Sequence, residues 1–400
     1  MKINIKNIKI ILLFLVLLFI MCLDSLTNIQ YIQFFFKHVD ELITIIFTLY
    51  VMINYKTLLK LKLKLIIPWI LFMLIGFIST VINMYQPISA ALIDAFLLVQ
   101  RFMVGYLAVI IYLNKKNINI SDIIVKSAKI VTVILFIIAI HDIIFTPIFP
   151  KSNFRYFTYS LQLMFPHPTY LASAEAILLI FLGYKNEKNN NYIYMLMATF
   201  VGIMTLRGKA IGFFVLYWFI YLLIFVFKNK HYLHIFILGG ILCLFLVQNQ
   251  FQEYFFEDRY SPRAILLKDS FELMMKHFPI GTGFGTFGSS IAVNYYSPLY
   301  ILLGYPSNWG MSQSYSAFLT DSFWPTIFAQ FGIIGLITFL VIILYFLKIT
   351  IKQIKQNQLS GVAMLMTLAY ILITSFAESS FFNPVSLLMF MLFAIYEEEK

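Results

Sequence analysis

Arginine is the scarcest kind of positive charge in this chain. Of 29 basic residues only five are arginines, Arg101, Arg155, Arg207, Arg259 and Arg263. A guanidinium is a rigid fork of donors that binds phosphate or carboxylate through two hydrogen bonds, whereas a lysine ammonium acts as a point charge. A chain that uses lysine for most of its charge is therefore predicted to use the arginines outside its apolar runs to bind an anion. The alternative is that they are ordinary loop charges.

Two side chains next to apolar runs are candidate proton acceptors. His167 lies between two prolines, and Asp321 precedes a long apolar run. Either could take a proton from a reacting hydroxyl group. Each also has a structural alternative, since His167 could be a loop residue held by its prolines and Asp321 could be a helix N-cap. Glu175 lies deeper in an apolar run, where a carboxylate is costly and indicates function or a partner on another helix.

Metal and cofactor chemistry find little support in the sequence. Glu257 and Asp258 are adjacent, but no further ligand type flanks them. The two cysteines, Cys22 and Cys243, each lie inside an apolar run, which predicts neither a disulfide framework nor a metal site. We therefore expect no metal and no cofactor.

Residues 279–287 form the most distinctive stretch, Pro-Ile-Gly-Thr-Gly-Phe-Gly-Thr-Phe. Gly-x-Gly-x-Gly also occurs in nucleotide-binding loops, but here no strand precedes it and no Lys-Ser/Thr pair follows. The glycines are instead predicted to allow a tight backbone turn after a helix. That helix is expected over 264–277, with Ile265, Leu266, Phe271 and Met275 on the membrane, Lys268, Asp269, Glu272 and Lys276 toward water, and His277 as its C-terminal cap.

The composition indicates the elements that position these residues. The chain has 400 residues, of which 61% are hydrophobic and 12% charged, with a mean hydropathy of +0.87. Soluble domains have about twice that share of charge, so soluble and disordered proteins are excluded. Long apolar runs predict an all-α polytopic membrane protein, not a membrane β-barrel. The net charge of +11 comes largely from lysines in short loops, which set orientation and do not indicate nucleic-acid binding.

Twelve transmembrane helices are predicted from the apolar runs. These fall near 10–26, 39–54, 65–82, 90–113, 123–145, 161–184, 192–206, 210–227, 232–248, 323–347, 360–377 and 383–396. With both termini in the cytoplasm, every predicted cytoplasmic connection carries lysine and none carries arginine, as the positive-inside rule favours. Arg155, Arg207, Arg259 and Arg263 then lie on the outer side. Asp94 and Arg101, seven residues apart on one span, are expected to form an intramembrane charge pair or network.

The chain is predicted to form one membrane domain with a single long outer loop. Residues 1–248 hold helices 1–9, residues 249–322 form the extracytoplasmic loop with its amphipathic helix, and residues 323–400 hold helices 10–12. A loop of this length is usually functional or disordered. Its aromatic and glycine content argues against disorder. Its tyrosines and tryptophan could stack on sugars or anchor at the membrane interface.

Three motifs in this order resemble the O-antigen ligase and Wzy-type polysaccharide polymerase family. They are Arg207 at the outer end of a span, Arg263 followed by a helix and the 279–287 stretch, and Gln-x-Gly-x-x-Gly at 330–335 in a form typical of capsular polymerases. The resemblance covers about 165–345. Two features depart from the family: Leu206 replaces the usual serine before Arg207, and the late loop lacks the histidine of the ligase branch.

The resemblance implies a bacterial glycosyltransferase at the outer face of the cytoplasmic membrane. It would join oligosaccharide repeat units carried on polyprenyl (undecaprenyl) diphosphate into capsular or O-antigen polysaccharide, with lipid-linked donor and acceptor as substrates. Arg207 and Arg263 would bind the diphosphate, with Arg259 assisting. A flippase and a chain-length regulator are expected partners. The alternatives are an O-antigen ligase of the same family and a flippase or transporter of lipid-linked oligosaccharide. The sequence has no internal repeat, which argues against a transporter.

Overall fold

In the computed structural model, the described residues are 5–19, 38–115, 120–145, 147–149, 152–156, 158–186, 190–226 and 261–398. Within them the chain is all-α apart from one short hairpin. The fifteen α-helices are α1 Ile5–Leu18, α2 Val39–Ile53, α3 Tyr55–Asn83, α4 Ile88–Ile93, α5 Arg101–Lys115, α6 Ile120–Ile144, α7 Pro168–Tyr184, α8 Tyr192–Met204, α9 Gly208–Tyr221, α10 Pro262–Lys276, α11 Ser290–Asn294, α12 Pro298–Leu302, α13 Trp324–Gln356, α14 Gln358–Ser375 and α15 Pro384–Glu398. The hairpin pairs β1 Phe154–Arg155 with β2 Thr158–Tyr159, antiparallel.

Each predicted apolar run that the structure describes contains a helix, although in the run 161–184 the helix begins only at Pro168. The run 232–248 lies outside the described residues. The predicted break between the runs at 192–206 and 210–227 is confirmed, because α8 ends at Met204 and α9 begins at Gly208. Two π-helical segments, Asp94–Val99 and Leu222–Val226, follow α4 and α9.

Several helices have the length and apolarity of membrane spans. Five described helices meet both criteria, over 55–83, 124–144, 208–225, 324–356 and 358–375, and a sixth results if the pair 88–99 and 101–115, bent by 51°, counts as one. Two further apolar helices, α7 and α8, are shorter. Helix α3 exposes a row of aliphatic side chains, among them Ile67, Leu71, Ile78 and Val81. Lipid can cover such a face and water cannot without cost, which suggests a multi-pass membrane protein.

Helix α7 lies at the centre of the bundle. All of its residues except Tyr170 are buried, and it packs against α6, α8, α9, α14 and α15. The largest packed interfaces elsewhere join α15 to α5 and α13 to α3. Ser173 of α7 and Tyr370 of α14 share a hydroxyl hydrogen bond of 2.8 Å inside this core.

Side-chain contacts join loop ends that the sequence places on the same side. Near the lysine-rich end, the Lys62 ammonium pairs with Glu397 at 2.5 Å, and the Tyr106 hydroxyl donates to the same carboxylate. Gln353 donates to the Tyr396 carbonyl at 3.3 Å. All of these belong to predicted cytoplasmic ends, so the relative sidedness of α3, α5, α13 and α15 is consistent with the prediction.

The described part of the long loop is a folded unit. Helices α10, α11 and α12 enclose a small apolar core that includes Leu266, Phe287, Tyr300 and Met311, all fully buried. This corrects the predicted orientation of the amphipathic helix. Leu266 faces that core and not the membrane, and Asp269 is buried beside it and not in water. The helix also begins earlier than expected, because Ser261 caps it through the Ala264 N–H at 3.3 Å.

A glycine clasp joins this loop to the membrane helices. We use the name for residues 279–288 of the loop together with residues 329–334 of α13. Gly281 and Gly332 both have positive φ, and a Cβ on either would lie 2.5 Å from the backbone nitrogen of the other. Gly283, with φ +95°, leaves no room for a side chain against the Thr80 backbone of α3. The prediction that glycine permits a tight turn here is confirmed, and the reason is close backbone approach.

Backbone N–H groups of the clasp are already bonded to protein acceptors. Five of them donate at 2.7–2.9 Å: Thr282 to the Ala329 carbonyl, Gly283 to the Gln330 carbonyl, Phe284 to the Thr80 hydroxyl, Gly285 to the Asp94 carboxylate and Gly288 to the Tyr300 hydroxyl. The Gln330 amide also donates to the Phe287 carbonyl at 2.8 Å. A loop whose donors are engaged in this way holds helices together and is not arranged to cradle a phosphate.

The predicted pairing of Asp94 with Arg101 is wrong. Arg101 pairs with Asp40 of α2 at 2.8 Å and donates to the Phe382 carbonyl at 3.2 Å. Asp94 accepts from Gly285 in the glycine clasp. The π-helical segment and the bend before α5 rotate the two residues out of the common face that a regular helix would give them.

Candidate functional site

Six ionisable side chains from five separate parts of the chain form a charge cluster. They are His167, Arg207, Lys209, Arg263, Asp321 and Glu378, joined as three contact pairs. Three of them lie where helices begin. His167 occupies the N-cap position of α7, Arg207 occupies that of α9, and Arg263 is the second residue of α10. Of the five predicted site residues, four meet here. The fifth, Arg259, lies outside the described residues.

Arg207 and His167 form the first pair. The Arg207 guanidinium lies 3.1 Å from the His167 Nε2, and the Thr169 backbone nitrogen lies 3.3 Å from Nδ1. Both ring nitrogens thus face N–H groups, which a protonated ring would repel. A neutral imidazole can accept a hydrogen bond at only one of these two nitrogens. Burial, together with the charges of Arg207, Lys209 and Arg155, lowers the pKa of His167 to about 4. His167 is therefore neutral near pH 7 and has a lone pair to accept a proton.

Arg263 and Asp321 form the second pair. The guanidinium donates to the Asp321 carboxylate at 3.0 Å, and both side chains keep part of their surface in solvent, 20% and 29%. The alternative in which Asp321 caps a helix is wrong, because the N-cap of α13 is Phe323. Burial raises the pKa of Asp321, although Arg263 and Lys209 oppose that rise.

Lys209 and Glu378 form a third pair that sequence reasoning missed as site residues. The ammonium lies 3.1 Å from the carboxylate. Burial raises the pKa of Glu378 and the charge of Asp321 adds to this, whereas Lys209 and Arg263 lower it. Lys209 could have been found as the neighbour of Arg207. Glu378 lies in a short connection between α14 and α15, where no motif marks it.

Hydrogen bonds between two loops bring Glu378 next to Asp321. Ser379 donates to the Thr320 carbonyl at 3.2 Å, and the Phe323 N–H donates to the Ser375 carbonyl at 3.0 Å. The Trp324 indole donates to the Ser375 hydroxyl, also at 3.0 Å. These bonds fix the start of α13 against the end of α14, so the two carboxylates are held at one place.

The charge cluster favours an anion. Arg207, Lys209 and Arg263 contribute three positive charges against two carboxylates, and Arg155 on β1 is close enough to lower the pKa of His167. The N-termini of α7, α9 and α10 add their partial positive charge at the same place. A phosphate group entering here would meet arginine forks and helix N-termini together.

Other candidate residues lie apart from the cluster. Glu175 is fully buried on α7, and neither of its carboxylate oxygens has a hydrogen-bond partner among the described residues. His277 ends α10 as predicted, and its ring contacts Asn83 at 3.0 Å and Tyr85 at 3.2 Å. The His277 contacts hold the end of α10 against the end of α3.

Among the described residues, no three His, Cys, Asp or Glu side chains come together as a metal site would require. A small cavity between the end of α6 and the loop before α7 is lined by Asp142, Ser160, Gln162 and Met204. Its lining residues are close in sequence to His167 and Arg207, but none of the charged side chains of the cluster lines the cavity.

Comparison with known proteins yields no family assignment: no protein-family model matches the chain, and no curated protein is significantly similar to it.

Proposed function

We propose that this protein is a membrane glycosyltransferase that joins lipid-linked oligosaccharide repeat units into a surface polysaccharide. One observation carries the proposal: Arg207 and Arg263, distant in sequence, lie in one cluster, each paired with a proton acceptor. A group-transfer site for a diphosphate-activated sugar needs fixed cations for the leaving group and a base for the attacking hydroxyl. The charge cluster offers both.

The arginines would bind the diphosphate by exchanging partners. Arg207 now donates to a neutral ring, and Arg263 donates to a carboxylate that is partly in solvent. A diphosphate carries more charge than either partner and accepts bidentate bonds. When it takes these donors, the lone pair of His167 and the carboxylate of Asp321 are released beside the bound substrate.

The reaction would then be a direct displacement. The hydroxyl oxygen of the acceptor sugar forms a bond to the anomeric carbon of the donor, while the bond from that carbon to the phosphate oxygen breaks. The electron pair leaves with the polyprenyl diphosphate, whose charge the arginines stabilise. The hydroxyl proton passes to His167 or to a carboxylate of the cluster. The energy comes from the glycosyl–diphosphate bond, so no nucleotide enters the scheme.

The position of the cluster suits a substrate held in a membrane. Arg207 directly precedes the candidate span at 208–225, and Asp321 lies just before the one at 324–356. A lipid whose chain lies along these helices would present its phosphates at their ends. We accordingly propose the finer topology as well, with twelve spans, both termini in the cytoplasm, and the cluster at the outer face of a bacterial cytoplasmic membrane. A flippase would deliver the substrates, and a chain-length regulator would limit the product.

The test is a gel of surface polysaccharide from a strain lacking the protein, complemented with single alanine variants. Wild-type protein should restore full-length polymer. Arg207→Ala and Arg263→Ala should leave a single repeat unit although the protein reaches the membrane. Lys268→Ala is the matched control, because Lys268 lies on the same helix as Arg263 but is 75% exposed and pairs with Glu272 across a helix turn.

Other outcomes would assign other functions. Full-length polymer that stays on its lipid carrier in the deletion strain would indicate a ligase. Loss of all outer-face material, with repeat units accumulating inside, would indicate a flippase. Polymer of normal length from the Arg207→Ala, Arg263→Ala double variant would contradict the proposed site.

A further inference from the structure

We propose that Trp309 and Tyr315 form an aromatic platform that binds the saccharide part of the substrate beside the charge cluster. This inference rests on the proposed function, which needs a long sugar chain to be held while its end reacts. The platform comprises the loop 308–318 between the last turn of the outer-loop unit and α13.

Trp309 is the most exposed large aromatic side chain of the described loop. It has 73% of its surface in solvent, and Tyr315 has 48%. The Trp309 ring lies 5.6 Å from that of Tyr315 and 5.1 Å from that of Phe318, both tilted. Such a cluster exposes a broad apolar face, which normally costs free energy unless a ligand covers it.

The platform is held rigidly from below. Gly310 has a positive φ, and a Cβ there would lie 2.2 Å from the Phe318 ring, so glycine lets that ring lie under the loop. The Phe318 N–H donates to the Gly310 carbonyl at 3.1 Å. Met311 and Leu319 are fully buried in the core of the loop unit, and Tyr296 donates to the Met311 carbonyl at 3.0 Å. An aromatic side chain on such a support loses little entropy when a ligand binds.

The platform is also next to the charge cluster. The Asp321 N–H donates to the Phe318 carbonyl at 3.2 Å, so the residue under Trp309 is bonded to the residue that pairs with Arg263. A saccharide attached to a diphosphate at Arg263 would therefore begin close to this loop.

The chemistry around the rings fits a sugar better than a bilayer. A pyranose has an apolar C–H face and a rim of hydroxyl groups. Beside Trp309 the hydroxyl groups of Ser312 and Ser314 lie 3.2 Å apart on the exposed surface, ready to exchange hydrogen bonds with such a rim. The same loop exposes an aliphatic patch elsewhere, at Ile301 and Leu302, with 61% and 72% exposure. That patch, and not the aromatic one, has the character of a lipid contact.

The experiment measures binding of a saccharide that has neither lipid nor phosphate. The probe is a mixture of oligosaccharides released by mild acid from the surface polysaccharide of the source bacterium and freed of phosphate. The full-length protein is purified in detergent, and Kd is measured for wild type, Trp309→Ala, Trp309→Phe and Ile301→Ala. We expect Trp309→Ala to weaken binding about tenfold, the usual scale for one stacked ring. Trp309→Phe should weaken it less, and Ile301→Ala should leave it unchanged.

The outcomes separate this inference from the proposed function. Arg263→Ala should bind the phosphate-free probe as wild type does, even though it makes no polymer. Equal Kd values for wild type and Trp309→Ala, or no binding by wild type, would overturn the platform while the polymer phenotype of the arginine variants could still stand. Quenching of the Trp309 signal by brominated lipid, taken as the difference between wild type and Trp309→Phe in vesicles, would show a bilayer contact and overturn it too. Normal polymer in the deletion strain would overturn the proposed function alone.

Discussion

The glycine clasp and the charge cluster are neighbouring regions built on opposite principles. In the clasp, glycines with positive φ let three backbones approach within van der Waals contact, and its donors are bonded to protein acceptors. In the charge cluster the guanidinium of Arg263 is bonded to a partner that is partly in solvent and could be exchanged for a substrate. The more conspicuous sequence motif is thus the structural one, and the dispersed charged residues have the properties of a site.

The comparison also explains why the two regions adjoin. The clasp fixes residues 329–334 of α13 against the loop, and the start of α13 carries the connection to Asp321. In the proposed mechanism, this rigid joint would hold the cations of the cluster in place while a substrate replaced their present partners. A substitution in the clasp should therefore lower the amount of folded protein. A substitution in the cluster should leave the protein folded and lower its activity.

The largest effect on polymer formation is expected from a substitution that keeps the positive charge but removes the planar guanidinium group. Arg207→Lys and Arg263→Lys should each lower polymer formation by about a hundredfold or more, because a lysine cannot make the bidentate bonds that stabilise the leaving diphosphate. The amount of protein in the membrane, measured by immunoblot, should not change. Polymer at wild-type levels from both variants would mean that the cluster supplies only charge.

The clasp can be tested by one added methyl group. In Gly283→Ala, the new Cβ would lie 2.6 Å from the Thr80 backbone at a φ of +95°, so we expect a loss of about 3 kcal/mol or more in stability. Gly304→Ala is the matched control, because Gly304 has φ +75° but no atom within 4 Å of the added Cβ. It should cost only about 1 kcal/mol. The measurement is the melting temperature of each purified variant. Equal values would show that the backbones of the loop and of α3 can move apart without loss of stability.

A smaller effect is expected where the clasp meets the π-helical segment. Asp94→Ala would leave the buried Gly285 N–H without the acceptor that it now has at 2.7 Å, a loss of about 1–3 kcal/mol. Asp94→Asn keeps an acceptor oxygen and should lose less. The thermal stability of both variants checks this order, and a reversed order would mean that the negative charge itself is required.

The smallest effect concerns the pH dependence of the cluster. The pKa of His167 is about 4, against its ordinary value of 6.5, because the ring is partly buried next to Arg207 and other cations. Between these values the unfolded chain binds a proton that the folded chain does not, so stability should fall as the pH drops from about 6.5 to 4. His167→Gln should reduce that fall. Melting temperatures of the two proteins across this range are the measurement, and parallel curves would show that His167 titrates normally.

Much of the fold could be predicted from the chain alone. A membrane helix must satisfy its own backbone hydrogen bonds, which requires long apolar runs. The described helices other than α10, α11 and α12 accordingly lie in the predicted runs. The turn at Arg207 and the glycine turns followed from local chemistry in the same way. The choice of Arg207, Arg263, His167 and Asp321 as one group came from residue type and side of the membrane, and the structure does bring them together.

Partners that depend on three-dimensional packing were decided only by the tertiary structure. The pairing of Arg101 with Asp40, the role of Asp94 in the clasp and the burial of Leu266 and Asp269 all depend on which face of a helix meets which neighbour. A seven-residue spacing predicts a common face only for a regular helix, and a π-helical segment changes it. Glu378 has no local signal at all, because its place beside Lys209 results from two loops that hydrogen-bond across the end of the bundle. Sequence therefore determined which segments are helices and which charges lie at the same end, while packing determined which charges touch.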